Sequence, residues 1–351
     1  METDYIIIGQ GICGTFLSYY LQKAGKKVMV INEQKPYTAS KAASGVINPV
    51  TGRRIVRTWM IEEVMPFAVH VYQQLEKELD VSLIEQKNII DFHPTPQMKI
   101  AFEERLKEEN FLTIPNNIHS FQQYFNFYFD AGEVDPCWLI DINNLLAAWR
   151  KKLIEQESLI EEYFDINQLI TNNSSSITYK NIDAQKIIFC DGVEGTENKF
   201  FQLLPYSKNK GEVIIAKIPD LPGTNIFKQG FVIVPWKEDL FWIGSSYEWK
   251  FENEEPTTLF RKKVEAQLNQ WLKIPYEIIE HYASVRPANM ERRPFAGLHP
   301  VHSSIGLLNG MGTKGCTLAP YFAHQLTEYL INNTPINPLA DVQRFSKILS
   351  R

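Results

Sequence analysis

Near the N-terminus, unbroken apolar runs alternate with helical periodicity. Tyr5 to Ile8 has no polar interruption, the pattern of a strand covered on both faces in a parallel sheet. Phe16, Leu17, Tyr20, Leu21 and Ala24 then recur at helical spacing, and Gly25 stands where such a helix would close. Lys27 to Ile31 reads as a second strand. Further on, the periodicity predicts a long amphipathic helix over Met60 to Leu79, another over Gln97 to Glu109, and a third from about Pro256 to Leu272. Phe231 to Phe251 alternates on either side of a turn at Lys237-Glu238-Asp239, which reads as a hairpin. The polar run Asn172 to Ser176 reads as another hairpin turn. Strand, helix and strand in that order predict an α/β fold with a parallel sheet.

Composition narrows the class without changing that picture. The chain has 351 residues, 44% apolar and 22% charged, enough for one large or two moderate domains with a sizeable core. A formal net charge of −5 argues against a general nucleic-acid binder, so none is expected as a partner. Cys13, Cys137, Cys190 and Cys316 lie far apart with no C-x-x-C pair, the pattern of reduced thiols in a cytosolic protein. None of the seven histidines stands at metal-ligand spacing, so no metal is expected. No apolar run reaches the ~18 residues of a membrane span, and no secretory leader pattern precedes the first strand. The expected location is the cytoplasm.

The candidate chemistry begins at the first turn. Gly9, Gly11 and Gly14, with Ile12 and Cys13 between them, form G-x-G-x-x-G between a strand and a helix. In such a loop one glycine makes the turn, one admits a pyrophosphate, and one lets helix and strand pack closely. The phosphates would lie at the positive end of the helix. At the end of the second strand, where an acidic residue usually holds a ribose, stands Asn32, with Glu33 one step beyond. An amide oxygen can still accept from a ribose hydroxyl, so a dinucleotide remains the expectation.

The segment Ser40 to Arg54, "SKAASGVINPVTGRR", identifies which dinucleotide. Its small residues and its Asn48-Pro49 resemble the flavin-side segment of the D-amino-acid oxidase superfamily of FAD enzymes, which includes glycine oxidase and sarcosine oxidase. Other stretches are similar to further parts of that family. Ala184 to Gly192 resembles a later cofactor-domain strand. Asn209 to Ile218 and Phe231 to Phe251 resemble the strands that roof the substrate pocket. Ser284 to Pro300 and Ile305 to Leu326 resemble the closing Arg-Pro strand end, glycine loop and last helix. The resemblance implies a discontinuous Rossmann-like FAD-binding domain from residues 1–59, about 140–204 and about 285–351. It implies a second, α+β substrate domain on an antiparallel sheet, from residues 60–139 and 205–284. Besides the residues of the first loop, Asn32 and Glu33, it assigns cofactor contacts to Ser40, Ala43, Ser44, Gly45, Asn48, Cys190, Asp191 and Gly192. Gly310, Gly312, Thr313, Lys314, Gly315, Cys316 and Thr317 complete the set, in a loop and helix start that would set positive charge against a reduced flavin.

The resemblance further implies oxidation of an amine or amino acid, by hydride transfer from the amine-bearing carbon to flavin N5, followed by imine hydrolysis. Arg286 is the expected partner of a substrate carboxylate. Tyr247 is a second candidate, for a hydroxyl aimed at the substrate, and Lys314 a third, for charge at the flavin. Non-covalent FAD is expected, because the cysteine and histidine positions that carry covalent flavin in relatives are otherwise filled. Arg53, Arg54 and Arg57, followed by Trp59, depart from the family; either they form a solvated face or they favour an acidic substrate, with Arg292 and Arg293 adding charge near Arg286. Two other readings stay open: an oxidoreductase trimming a carboxymethylaminomethyl group on tRNA wobble uridine, and a flavin-binding protein with no turnover of its own.

Overall fold

The computed structural model describes residues 1–52, 55–172 and 176–351. Arg53, Arg54 and the middle of the Asn172–Ser176 turn lie outside the described residues; the flanking strands, Leu169–Asn172 and Ser176–Tyr179, pair antiparallel as that turn requires. The chain begins with strand β1 (Glu2–Ile8), helix α1 (Ile12–Lys23) and strand β2 (Val28–Ile31). β1 pairs in parallel with β2 on one side and with the Ile182–Phe189 strand on the other. That last strand shares its outer edge: its first half meets Ser176–Tyr179 antiparallel, and its second half meets Ile305–Asn309 in parallel. A short Leu159–Ile160 strand extends the sheet beyond β2.

The unbroken apolar run in β1 now has its cause. Tyr5 and Ile7 point into a core with Phe16 and Leu17 of α1 and Phe322 of the last long helix, Gly315–Asn332. Ile6 and Ile8 point the other way, into a core with Phe189, Phe201 and Phe345. With both faces covered, no position of the strand tolerates a polar residue. Helix α2 (Ile61–Leu79) carries Val64, Ala68, Val71, Tyr72 and Leu75 on one stripe. That stripe lies on the helical side of the first sheet, where the Tyr72 hydroxyl donates to the Cys316 carbonyl at 2.9 Å and its ring meets Phe16 edge-on.

A second sheet of eight strands stands apart from the first. Its order runs from Glu277–Arg286 through Asn209–Lys217, Leu240–Gly244, Phe231–Lys237 and Ile226–Gln229 to Ile89–Phe92, Ala131–Val134 and Leu112–Thr113. Every pairing is antiparallel except that of Ile226–Gln229 with Ile89–Phe92. The Phe231–Lys237 and Leu240–Gly244 hairpin turns where the alternation placed it, but its second strand stops at Gly244 rather than running on to Phe251. On one face, Ile214, Ile233 and Ile243 meet Val264, Leu268 and Trp271 of the Thr258–Trp271 helix. On the other, Val213, Ile215 and Trp242 meet Ala42, Val50 and Ile55. The Trp242 Nε1–H donates to the Ala42 carbonyl at 3.0 Å, so the second sheet roofs the small-residue segment of the first region.

Close packing at the first turn fixes how α1 leaves β1. A Cβ on Gly14 would stand 1.9 Å from the Gly9 carbonyl oxygen, a contact that only displacement of the helix relieves. Gly14→Ala is therefore expected to lower unfolding free energy by about 3 kcal/mol, read by chemical denaturation. A variant as stable as the parent would contradict this packing.

Candidate active site

The first loop is built to receive an anion. Gly9 has φ +94°, a region that L side chains rarely adopt, and its own Cβ would meet the Cys190 carbonyl oxygen at 2.5 Å. Gly11 precedes α1 and has no side chain of its own to cap the helix, so the first-turn N–H groups must look elsewhere for acceptors. The Ile12 N–H donates to Ser40 Oγ at 3.0 Å, tying the second glycine to the small-residue segment. Asn32 has a role that its expected ribose contact did not anticipate. Its Oδ1 accepts from the Gln10 N–H at 2.8 Å, bracing the loop, which leaves its NH2 and the second lone pair of Oδ1 to offer. Glu33 lies outside, 3.3 Å from the Lys35 ammonium, which also pairs with Glu194.

Cys190, Asp191 and Gly192 follow the central strand directly behind this loop. Asp191 accepts from Asn309 Nδ2 at 2.9 Å and from Asn198 Nδ2 at 3.1 Å. Burial outweighs those bonds and pushes its carboxyl up to about 7. Asn309 also donates to the Gly192 carbonyl at 2.8 Å and accepts from the Gly310 N–H at 2.7 Å, stitching two strand ends together. Sequence reasoning missed Asn198 and Asn309; the placing of Asn309 just before Gly310 was the one available hint.

The glycine loop and the small-residue segment converge. Gly310 and Gly312 take φ +76° and +57°, and the helix starts at Gly315, with Cys316 and Thr317 buried in its first turn and Thr313 exposed before it. Lys314 reaches back, its Nζ 3.4 Å from the Asn48 carbonyl oxygen. No described carboxylate pairs with it, and burial lowers its amine to about 8. Gly45, at φ +82°, packs so tightly on the Ile140 carbonyl that a Cβ would stand 2.0 Å from its oxygen. Ala43 and Ser44, just before it, are half-buried beside that contact.

Arg286 ends the edge strand of the second sheet, on the face turned toward Ala42 and Val50. Its Nη1 donates to Asn209 Oδ1 at 2.6 Å and the Ser246 carbonyl at 3.3 Å, and its Nη2 donates to Ser245 Oγ at 2.7 Å. Every one of these acceptors is neutral. Tyr247 lays its ring 4.8 Å from the guanidinium carbon, a cation–π contact, so the structure gives the ring a part that the sequence reading had assigned to its hydroxyl. Burial disfavours the charged guanidinium and lowers its pKa. A brace holds this arrangement from the opposite face of the sheet. The fully buried Glu212 carboxylate accepts from the Thr257 N–H at 2.6 Å, the Thr257 hydroxyl at 2.8 Å and His281 Nε2 at 3.0 Å. Lys210 stands 3.8 Å from both Glu212 and Glu248.

Arg57 is neutralised by Glu109 at 2.8 Å and Glu62 at 2.5 Å. The Arg293 guanidinium stacks 4.4 Å from the Trp59 ring, and Arg292 is exposed. Arg53 and Arg54 lie outside the described residues.

Comparison with known proteins settles the family. The model of the FAD-dependent oxidoreductase family matches residues 4–329. The chain belongs to that family. This oxidoreductase is 19% identical to a glycine oxidase of Pseudomonas aeruginosa, over 96% of its own length and 97% of the relative's. Its fold matches the crystal structure of glycine oxidase from Bacillus cereus with a TM-score of 0.81 at 16% identity, covering 99% of each chain. It matches iminodiacetate oxidase from Chelativorans with a TM-score of 0.77 at 18% identity, over 96% of this chain and 98% of that one. The cradle fits the flavin dinucleotide on physical grounds: two glycines that no side chain can replace, a helix start whose N-cap is a glycine, and a lysine with no described counter-ion. Among the described residues no helix is long and apolar enough to cross a membrane, and no cluster of His, Cys, Asp and Glu could hold a metal ion.

Burial of the Lys314 ammonium costs stability wherever it is charged, in full below about pH 8 and progressively less as the pH rises toward the ordinary lysine value. Lys314→Met should therefore stabilise the flavin-free protein by about 2 kcal/mol at pH 7, with the gain shrinking above pH 8. Urea unfolding at the two pH values reads this. A variant that is less stable at pH 7 would show that the amine is not an uncompensated charge.

Proposed function

We propose that the protein oxidises a small amine bearing one carboxylate, an amino acid in the simplest case, with FAD held non-covalently. The observation that carries this reading is Arg286: a half-buried cation whose described partners are all neutral. A guanidinium has five N–H donors, and three are committed here to protein acceptors. The donors left over, Nε–H and one Nη2–H, carry the charge that a carboxylate pairs with. An anion accepting from them would supply the charge balance that the fold leaves out.

Bound at the cradle, FAD would supply a two-electron acceptor for the hydride of the amine-bearing carbon, and the imine would hydrolyse in water. The chain's own residues bind, orient and exclude water. Gly9, Gly11 and Gly14, with the start of α1, would take the pyrophosphate; Ala43, Ser44, Gly45 and Asn48 would flank the ring system. Lys314 and the N-terminus of the Gly315–Asn332 helix would place positive charge where the reduced cofactor is negative. Arg286 would fix the carboxylate, and the roof of the second sheet would shield the reacting carbon. In this reading residues 1–59, 140–204 and 285–351 form the cofactor domain, and 60–139 with 205–284 form the substrate domain. Non-covalent attachment is supported by the thiols of Cys13, Cys137, Cys190 and Cys316, all raised by burial and so poorly ionised. Four free thiols also suit a reducing compartment, which supports a cytoplasmic location. A substrate with several acidic groups loses support, because Arg57 is already neutralised.

Arg286→Ala is expected to raise KM for a carboxylate substrate by about 100-fold, while the absorption spectrum of bound FAD is retained. Steady-state kinetics on a panel of amino acids, run beside the spectrum, checks this. An unchanged KM would remove Arg286 from the site.

A further inference from the structure

Asn209 opens the Asn209–Lys217 strand directly opposite Arg286, and it is 1% exposed. Its Oδ1 accepts from Arg286 Nη1 at 2.6 Å. That bond fixes the amide's orientation, because a guanidinium has donors only and the NH2 end would be repelled. Nδ2 is thus turned away from the arginine, and among the described residues this buried nitrogen meets no acceptor. A buried amide NH2 left unmet carries the full cost of its lost hydration. The strand's alternation places Asn209, Gly211 and Val213 on one face. Arg286 lies over Gly211, where a Cβ would stand 1.9 Å from Nη2, and Val213 packs with Ala42 and Val50. The orphan donor therefore belongs to the same face of the sheet as Arg286, the face that looks toward the small-residue segment.

We propose that Asn209 is a positioning and specificity residue of the anion site. Its Oδ1 holds the guanidinium in plane, and its Nδ2–H donates to the substrate carboxylate, supplying a neutral donor beside the charged ones. The pair selects a planar carboxylate over a neutral amide, since an amide would present its own NH2 to one of these donors and leave it unmet. This rests on the reading of Arg286 as a carboxylate site.

The test uses the FAD-loaded full chain and two small probes, acetate and acetamide, followed by the perturbation each causes in flavin absorption. Acetate is expected to bind the parent protein and acetamide far more weakly. Asn209→Leu should weaken acetate about tenfold, one hydrogen bond to a charged group, with the unperturbed flavin spectrum and the Kd for FAD unchanged. Asn209→Asp, nearly isosteric and so the safer variant for folding, sets a carboxylate against Arg286 and should weaken acetate further still. Parental acetate affinity in either variant overturns the proposal. So does a loss of acetate binding that comes with weaker FAD binding, which would assign Nδ2 to the cofactor instead. A parent protein that ignores acetate, or an Arg286→Ala variant that binds it as well as the parent does, overturns the Arg286 reading and the proposal with it.

Discussion

A half-buried guanidinium with no described carboxylate partner is the constraint around which the second half of this fold is arranged. Desolvating a cation is costly, and three neutral hydrogen bonds return only part of the cost. The arrangement persists because the surroundings leave Arg286 nowhere else to go. Gly211 makes room beneath it, the Tyr247 ring covers it, and Ser245 and Ser246 hold its far side. Those serines are held in turn. The Ser246 hydroxyl accepts from the Glu212 N–H at 2.9 Å, and Glu212 anchors Thr257 at the head of the next helix. A carboxylate holding three hydrogen bonds on one face of the strand thus helps keep a cation without a described counter-ion in place on the other.

The same logic of incomplete satisfaction runs through the first sheet. The N-cap of α1 is a glycine with no side chain to offer, Lys314 has no described counter-ion, and burial raises the Asp191 carboxyl although two amides donate to it. Each is a cost that a bound anion or polar ligand can offset. All lie where strands of the parallel sheet end, the usual place for ligands in such sheets. The geometry explains why pieces from distant parts of the chain must cooperate: β1, the Ile182–Phe189 strand and the Ile305–Asn309 strand are neighbours in one sheet although the sequence separates them widely.

Much of this was legible in the sequence where one residue type has one physical use. Gly9 and Gly14 are needed because no Cβ fits, and the glycine spacing announced it. The unbroken Tyr5–Ile8 run announced a strand covered twice. What sequence patterns could not show was which partner a polar group chooses. Asn32 is expected at a ribose, and its oxygen also accepts from the loop itself. Tyr247 is expected to offer its hydroxyl, and its ring also covers Arg286. Arg57 looked free to meet a substrate, but Glu109, 52 residues further on, neutralises it through a contact that no local pattern encodes. Asn209 drew no notice because a single asparagine at a strand start carries no spacing signal at all.

The most direct measurement of the central claim is anaerobic mixing of the FAD-loaded protein with amino acids and with their matching carboxamides, following flavin absorbance. Bleaching by one or more amino acids, with the corresponding amides inert, is the predicted result. Equal bleaching by acid and amide, or none by any amino acid, would contradict the account that Arg286 is kept without a counter-ion in order to receive a carboxylate.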